Sequence, residues 1–313
     1  KKLMHRYGIP CAKDAIFSSF KEAEAYVKKQ PIPVVIKADG LAAGKGAIVA
    51  QSMDEALKAL SDIMENRVFG DAGNQVLVEE RLVGRETSLL AFIDGKTVVP
   101  MVTARDYKRA FDKDMGPNTG GMGCYSPSRF LEKKAIDGAM KPIVEPVVKA
   151  MTKEGKPYKG VLYTGLMLTA EGPKVLEFNA RFGDPETQVQ LPLLKTDLVD
   201  IMTSVIDGSL SRLKVEWDSG ACVGVVMASG GYPGGYKQGF PISGLDKIDS
   251  QMLVFHAGTK LNQGKISTAG GRVLTVACKG RSIAEAREKV YLNLPRISFE
   301  NCHYRKDIAS QEG

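Results

Sequence analysis

The sequence predicts an α+β protein with more than one core, and three observations carry that prediction. The chain has 313 residues, more than the roughly 100–200 that one domain usually holds. Its first part reads as strand, glycine-rich loop, strand, helix. From Cys222 onward the texture changes to short strands and a closing helix, a second and smaller α+β unit. The expected division is 1–217 and 218–313, with a glycine-loop subdomain over about 14–80.

Taken in order, residues 1–33 read as a helix end, a proline turn and the amphipathic helix "SFKEAEAYVKKQ", with Ser19 as N-cap and Glu22 three residues on. "PVVIKA" and "AIVAQS" flank the loop "DGLAAGKG" as a hairpin, and Ser52 caps the helix "MDEALKALSDIMEN". "QVLVEERL" and "TSLLAFIDGKTVVPMV", turning at Asp94-Gly95, read as strands. The polar stretch "RDYKRAFDKDMGPNTGGMGCYSP" reads as a loop too long to be idle in a compact domain. A helix over 131–153 is expected, then two strands turning at Glu171-Gly172. Asp184, Pro185 and Glu186 read as N-cap and first turn of a helix running to about 206, kinked or cut short at Pro192. "CVGVVMAS", "MLVFHAGT", "GRVLTVAC" and "SIAEAREKVYLNL" complete the smaller unit.

Composition narrows the function. Apolar residues at 43% and charged residues at 25% suit a globular enzyme. The net charge of +7 is spread among 36 acids and aromatics make up only 7%, which argues against nucleic acid and fits phosphorylated small molecules. The five cysteines form no Cys-x-x-Cys pair, so neither a zinc site nor a disulfide framework is expected. With no membrane-length apolar run and no signal peptide, a soluble cytoplasmic protein is expected. The opening "KKLMHRYGIP" reads as a helix already under way, which leads us to expect sequence upstream of it.

The glycine loop is not a Walker A motif: Gly40 and Gly44 bracket only three residues, and Lys45 is followed by Gly46 rather than by a hydroxyl for magnesium. A dinucleotide fingerprint also fails, because a strand follows the loop. Two readings stay open for it. One is a surface hairpin; the other is a flap whose small residues let backbone N–H groups approach phosphates, with Lys37 on the strand and Lys45 on the loop.

"KVLEFNAR" says more. Strand alternation would put Glu177, Asn179 and Arg181 on one face and Leu176, Phe178 and Ala180 on the other. Two oxygen ligands and a guanidinium suit Mg2+ on phosphates, with Arg181 neutralising charge in the transition state; a solvated polar face is the alternative. In "VLVEERLVGRE", backbone groups could meet an adenine edge and a carboxylate the ribose hydroxyls, although strand-flanking glutamates are usually solvated.

In this order the pieces resemble the ATP-grasp fold, two α+β subdomains around ATP. "KADGLAAGKG", "GPNTGGMG", "LEFNARFGDPETQ", "VFHAGT", "GGRVL" and "YRKDI" resemble, within that fold, the phosphoribosylamine-glycine ligases (glycinamide ribonucleotide synthetases) of purine biosynthesis. The resemblance spans nearly the whole chain, except that the family has a further N-terminal α/β domain with no counterpart here. It implies ATP with Mg2+ or Mn2+, Lys37, Gly44, Lys45 and Gly46 at the phosphates, Glu79, Glu80 and Leu82 at the adenine, and Glu86 at the ribose. Glu177 and Asn179 become metal ligands, and Arg181 and Lys45 catalytic groups. Asp106, Lys108, Asn118, Thr119, Gly120, Gly121, Asp184 and Glu186 would border glycine and phosphoribosylamine. Other purine-pathway domains are further partners to look for. The competing readings are a ligase of the same fold acting on another carboxylate, and a nucleotide-binding module or nucleic-acid binder without catalysis.

Overall fold

The computed structural model describes residues 1–40, 42, 46–128, 136 and 138–311. The chain divides into two compact units, one formed by Pro10–Arg85 with Met167–Leu176, the other by Lys1–Ile9, Glu86–Leu166 and Glu177–Gly313.

The smaller unit is built on a four-stranded antiparallel sheet in the order Asp14–Phe17, Val76–Glu80, Val34–Ala38, Ala47–Ala50. The expected hairpin is present, with Val34 opposite Ala50 and Lys37 opposite Ala47. Helices Phe20–Val27 and Met53–Met64 cover one face. Ala23, Val27, Ile36, Leu60, Ile63, Val76 and Val78 interlock there and are almost fully buried, each large side chain contributing about 1.5–3 kcal/mol. Ser52 caps its helix by accepting the Glu55 N–H at 3.2 Å while Glu55 Oε2 accepts the Gln51 N–H at 2.7 Å, a reciprocal arrangement that satisfies two otherwise open donors. Ser19 stands at the N-cap of the other helix without a side-chain bond.

In the larger unit, strands Leu253–His256, Arg272–Gly280, Ala221–Ser229, Gly123–Ser126 and Arg105–Asp106 follow one another in a sheet, and Cys302–His303 also pairs with Ala221–Ser229. Helix Ile283–Asn293, capped by Ser282, packs on it through Ile283, Ala286 and Val290, against Val223, Val225 and Val276. Arg305, only 1% exposed, is compensated by Asp307 at 2.7 Å and Asp114 at 2.9 Å. A further sheet runs Gly172–Asn179, Lys159–Thr169, Arg85–Asp94, Val98–Pro100. Leu90, Phe92 and Tyr163 from this sheet pack with Ile201 and Val205 of helix Leu198–Asp207.

Four expectations change. The polar stretch 105–126 is not an open loop: it holds four short strands, and Gly123–Ser126 lies between Ala221–Ser229 and Arg105–Asp106 in the larger sheet. A helix does not run from 184 to 206. The Asp184–Pro185 peptide is cis and lies in a turn; a helical turn Thr187–Gln190 passes into a 3-10 turn Leu191–Leu193 at Pro192, and Asp197 caps a new helix. The strand Gly172–Asn179 stops before Arg181, and Ala180 is exposed, so the pleat places Glu177 and Asn179 but not the guanidinium. Of the helix expected over 131–153, residues 129–135 and 137 lie outside the described residues; a π-helical turn Met140–Val144 leads into helix Glu145–Lys153. All five cysteines are free, and among the described residues no helix is long and apolar enough to cross a membrane.

Candidate active site

Each unit carries its own set of candidate groups. In the smaller one, Lys37 and Glu79 lie diagonally across two paired strands, Val35 being opposite Glu79. The Lys37 ammonium sits 2.8 Å from Glu79 Oε2 and donates to the Leu176 carbonyl at 3.2 Å. Glu79 is only 4% exposed and Lys37 22%, so a carboxylate holds the lysine in place at a half-open position. Glu80 instead fastens the backbone, its Oε1 accepting the Lys13 N–H at 2.9 Å. Leu82 is half-buried. Gly46 has no room for a side chain, since a Cβ there would stand 2.6 Å from that of Ala42. Gly44 and Lys45 lie outside the described residues.

In the larger unit, the period-2 alternation of Arg85–Asp94 puts exposed Glu86 and buried Ser88 on one face. Ser88 donates to Glu186 Oε1 at 3.0 Å and lies 2.8 Å from the Tyr163 hydroxyl. A hydroxyl has one proton and Ser88 gives its proton to the carboxylate, so Tyr163 donates to Ser88. This chain fixes Glu186, which is 2% exposed. Gly183 lets it stand there, since a Cβ at 183 would lie 2.6 Å from Glu186 Oε2.

Asp106 occupies the strand end paired with Cys124. Its Oδ1 is covered and has no hydrogen-bond partner among the described residues. Gly121, at φ 115°, passes so close that a Cβ would lie 2.6 Å from that oxygen and 2.4 Å from Pro185 Cδ; only glycine fits this backbone at this distance. Burial first, then the charges of Glu186 and Glu86, push the Asp106 carboxyl well above the usual range, against the pull of Lys108 and Arg272. Burial alone would lower Lys108, but Glu86, Asp106, Glu177 and Glu186 outweigh it and hold the ammonium above its ordinary value. Lys108 Nζ lies 3.7 Å from Glu86, and its carbonyl accepts both the Thr119 N–H at 2.7 Å and the Thr119 hydroxyl at 2.8 Å. Thr119 Oγ1 in turn accepts the Gly121 N–H at 3.0 Å. Asn118 pairs with Arg109 across a short ribbon.

Glu177 is exposed and Asn179 half-exposed on the same strand face. Gly165 clears space for Glu177, a Cβ there standing 3.0 Å from Glu177 Cγ. A carboxylate and an amide oxygen are hard donors, which fit Mg2+ or Mn2+ and would suit a softer metal poorly. Arg181 is exposed and donates to the Phe182 carbonyl at 2.8 Å. Three participants escaped the sequence reading. Ser88 and Tyr163 look like ordinary strand residues until Glu186 is placed beside them. Arg272 was visible only inside "GGRVL"; it holds Asp184 at 3.0 and 3.2 Å.

Asp106 supports a prediction. Its folded carboxyl titrates above the roughly 3.9 of an unfolded aspartate. The stability this gives is fully present below about pH 4 and is lost as pH rises through the folded value. Asp106→Asn removes that loss, so its melting temperature relative to the unsubstituted chain is expected to rise by a few degrees as pH is raised from about 4 while turnover falls. A pH-independent difference in thermal denaturation would refute the assignment.

Comparison with known proteins gives this site its context. Residues 1–187 match the family model "Phosphoribosylglycinamide synthetase, ATP-grasp (A) domain", and residues 222–311 match that for the C domain. A phosphoribosylamine–glycine ligase of Halalkalibacterium halodurans is 51% identical over 311 residues, 99% of this chain and 72% of the relative. One from Caldanaerobacter subterraneus subsp. tengcongensis is 51% identical over 310 residues, 99% of this chain and 74% of the relative. The crystal structure of phosphoribosylamine–glycine ligase from Thermotoga maritima superposes with a TM-score of 0.91 at 36% identity, covering 98% of this chain and 77% of that one. The biotin carboxylase domain of Hydrogenobacter thermophilus 2-oxoglutarate carboxylase, at TM-score 0.72 and 16% identity, covers 97% of this chain and 66% of its own and shares the fold. Two matched domain models and half-identical relatives along nearly the entire chain place it plainly: it belongs to the phosphoribosylamine–glycine ligase family, ATP-dependent enzymes of the ATP-grasp fold.

Proposed function

We propose that the chain joins glycine to 5-phosphoribosylamine at the expense of ATP, in purine biosynthesis. A glycine carboxylate oxygen attacks the γ-phosphorus; the bond to the β-phosphate oxygen breaks and ADP leaves. The amine of phosphoribosylamine then attacks the carbonyl carbon of glycyl phosphate, the C–O bond to phosphate breaks, and the amine loses a proton as the amide forms. No protein nucleophile is needed, only positioning and charge neutralisation.

In this reading Lys37 and Lys45, with the backbone at Gly44 and Gly46, neutralise and orient the triphosphate. Glu79, Glu80 and Leu82 border the adenine and Glu86 the ribose. Glu177 and Asn179 hold Mg2+, for which Mn2+ can substitute on the same hard donors; the ion supplies Lewis-acid neutralisation of phosphate charge. Arg181 stabilises charge on the phosphoryl group in flight. Asp106, Lys108, Asn118, Thr119, Gly120, Gly121, Asp184 and Glu186 hold the two remaining substrates. The observation that carries the reading is the gathering of groups from separate stretches of sequence: Lys108 Nζ 3.7 Å from Glu86, Glu186 held by Ser88, and the covered Asp106 carboxyl against Gly121. Carboxylates and a cation shifted by burial and by one another mark a candidate site for charged substrates.

Hydroxylamine is a small amine that intercepts acyl phosphates, and with glycyl phosphate it gives glycine hydroxamate and phosphate. With Mg-ATP and glycine the chain is expected to form hydroxamate and phosphate in equal amounts, and to form neither when ATP or glycine is omitted. Phosphoribosylamine should then drive phosphate release in place of hydroxylamine. ATP turnover indifferent to glycine would refute the proposal.

A further inference from the structure

Both backbone polar groups of one residue in the proposed substrate loop, Gly120, are held by side chains from more than a hundred residues downstream. The Gly120 N–H donates to the Tyr232 hydroxyl at 3.0 Å, and the Gly120 carbonyl accepts from Arg272 Nη1 at 2.8 Å. The same guanidinium donates to the Asp184 backbone carbonyl at 3.0 Å and grips its carboxylate through Nη1 at 3.2 Å and Nη2 at 3.0 Å. One side chain at the start of the strand Arg272–Gly280 thereby ties the loop of Asn118, Thr119, Gly120 and Gly121 to the turn of Asp184, Pro185 and Glu186.

The surroundings are shaped for this contact. A Cβ on Gly120 would stand 2.9 Å from Arg272 Cζ, so only glycine lets the planar guanidinium lie against that backbone. A Cβ on Gly271 would lie 2.2 Å from the Tyr232 ring, and Tyr236 meets the ring edge to face at 6.2 Å, so the hydroxyl is delivered by a packed side chain. The Arg272 side chain is 22% exposed, and its charge reaches Asp106. A planar fork with several donors can serve a carbonyl and both oxygens of a carboxylate at once, which a lysine ammonium cannot.

We infer that Arg272, assisted by Tyr232, is a positioning residue for the ligase reaction: it sets the distance between Gly121, which packs on Asp106, and Glu186, and through them the fit of the substrate that these carboxylates face. The inference rests on the ligase reading. A displacement of about 1 Å at such a site is enough for large rate losses.

The test is Arg272→Gln, Arg272→Lys and Tyr232→Phe in the full chain, with glycine hydroxamate formation and ATP affinity measured side by side. Arg272→Gln is expected to lower kcat/KM for glycine at least about tenfold while the ATP Kd stays within about twofold. Arg272→Lys should recover part of the loss, and Tyr232→Phe, which keeps the ring packing, should show the same split about threefold. Hydrogen exchange should quicken over 118–121 in all three variants and stay unchanged over the hairpin Val34–Ala38 and Ala47–Ala50, a result that does not depend on the reaction. Unaltered exchange over 118–121 overturns the clamp. Parallel losses of glycine kcat/KM, ATP affinity and melting temperature, or a wild-type kcat/KM in Arg272→Gln, overturn the positioning role. Absence of hydroxamate in the unsubstituted chain would instead count against the ligase reading, with the exchange data still deciding the clamp.

Discussion

Glu177→Ala is expected to lower glycine-dependent ATP turnover at least about a hundredfold, since removing one preorganised electrostatic contact from a transition state commonly costs that much and a metal ion supplies several kcal/mol. Stability should hardly change: Glu177 is exposed, and its neighbour Gly165 contributes no side chain that would lose a packing partner. Lys108 is the internal control. Glu177 is one of four carboxylates holding its ammonium up, so Glu177→Ala is expected to move the Lys108 pKa down. Turnover measured over a range of Mg2+ and Mn2+ concentrations checks the role. Loss of turnover with an unaltered metal dependence would assign Glu177 to charge balance around Lys108 instead of metal binding.

Lys37→Met has two separable effects. Removing the ammonium from the phosphates should weaken ATP binding by roughly ten- to a hundredfold, given about 1.5–3 kcal/mol for a charge-assisted contact. It also leaves the Glu79 carboxylate, 4% exposed, without the lysine 2.8 Å away. Breaking a buried ion pair on one side costs about 3–5 kcal/mol, and since Lys37 is half-open the lower end, about 3 kcal/mol, is expected here. Adding Glu79→Gln should return most of the stability without returning ATP affinity. Calorimetric titration with Mg-ATP and denaturant unfolding on the single and double variants separate the two. If ATP affinity recovers together with stability in the double variant, Lys37 acts by supporting the sheet and not by touching phosphate.

Short-range chemistry made much of this molecule legible. The hairpin around the glycine loop, the Ser52 cap, the Asp94-Gly95 and Glu171-Gly172 turns and the Glu177/Asn179 face all depend on residues within a few positions of one another. Distant partners decide the rest. The stretch 105–126 has turn-rich composition, yet Tyr125 is fully buried because a strand a hundred residues downstream pairs with it. The helix expected from 184 was read from capping chemistry that Asp184 does not perform: its carboxylate serves Arg272 and accepts from Gln188 at 3.0 Å. Arg181 was placed by extending an alternation two residues past the strand's end. The site followed the same pattern, with residue types legible and their supports, Ser88, Tyr163, Arg272 and Tyr232, hidden in sequence distance.

The pairing of Gly123–Ser126 with Ala221–Ser229, Gly123 opposite Val225 and Ser126 opposite Cys222, also sets a timetable for the ribosome-bound chain. Until residue 229 has emerged, the strand Gly123–Ser126 has no neighbour on that side, and closing so long a loop must precede any reward from the pairing. Residues 14–80 hold all four strands of the smaller unit's sheet and can pair them well before then. The smaller unit's sheet is thus available early in synthesis, while the larger sheet is completed last, and a nascent chain halted near residue 217 would present Tyr125 and Cys124 on an unpaired edge open to chaperones or to aggregation.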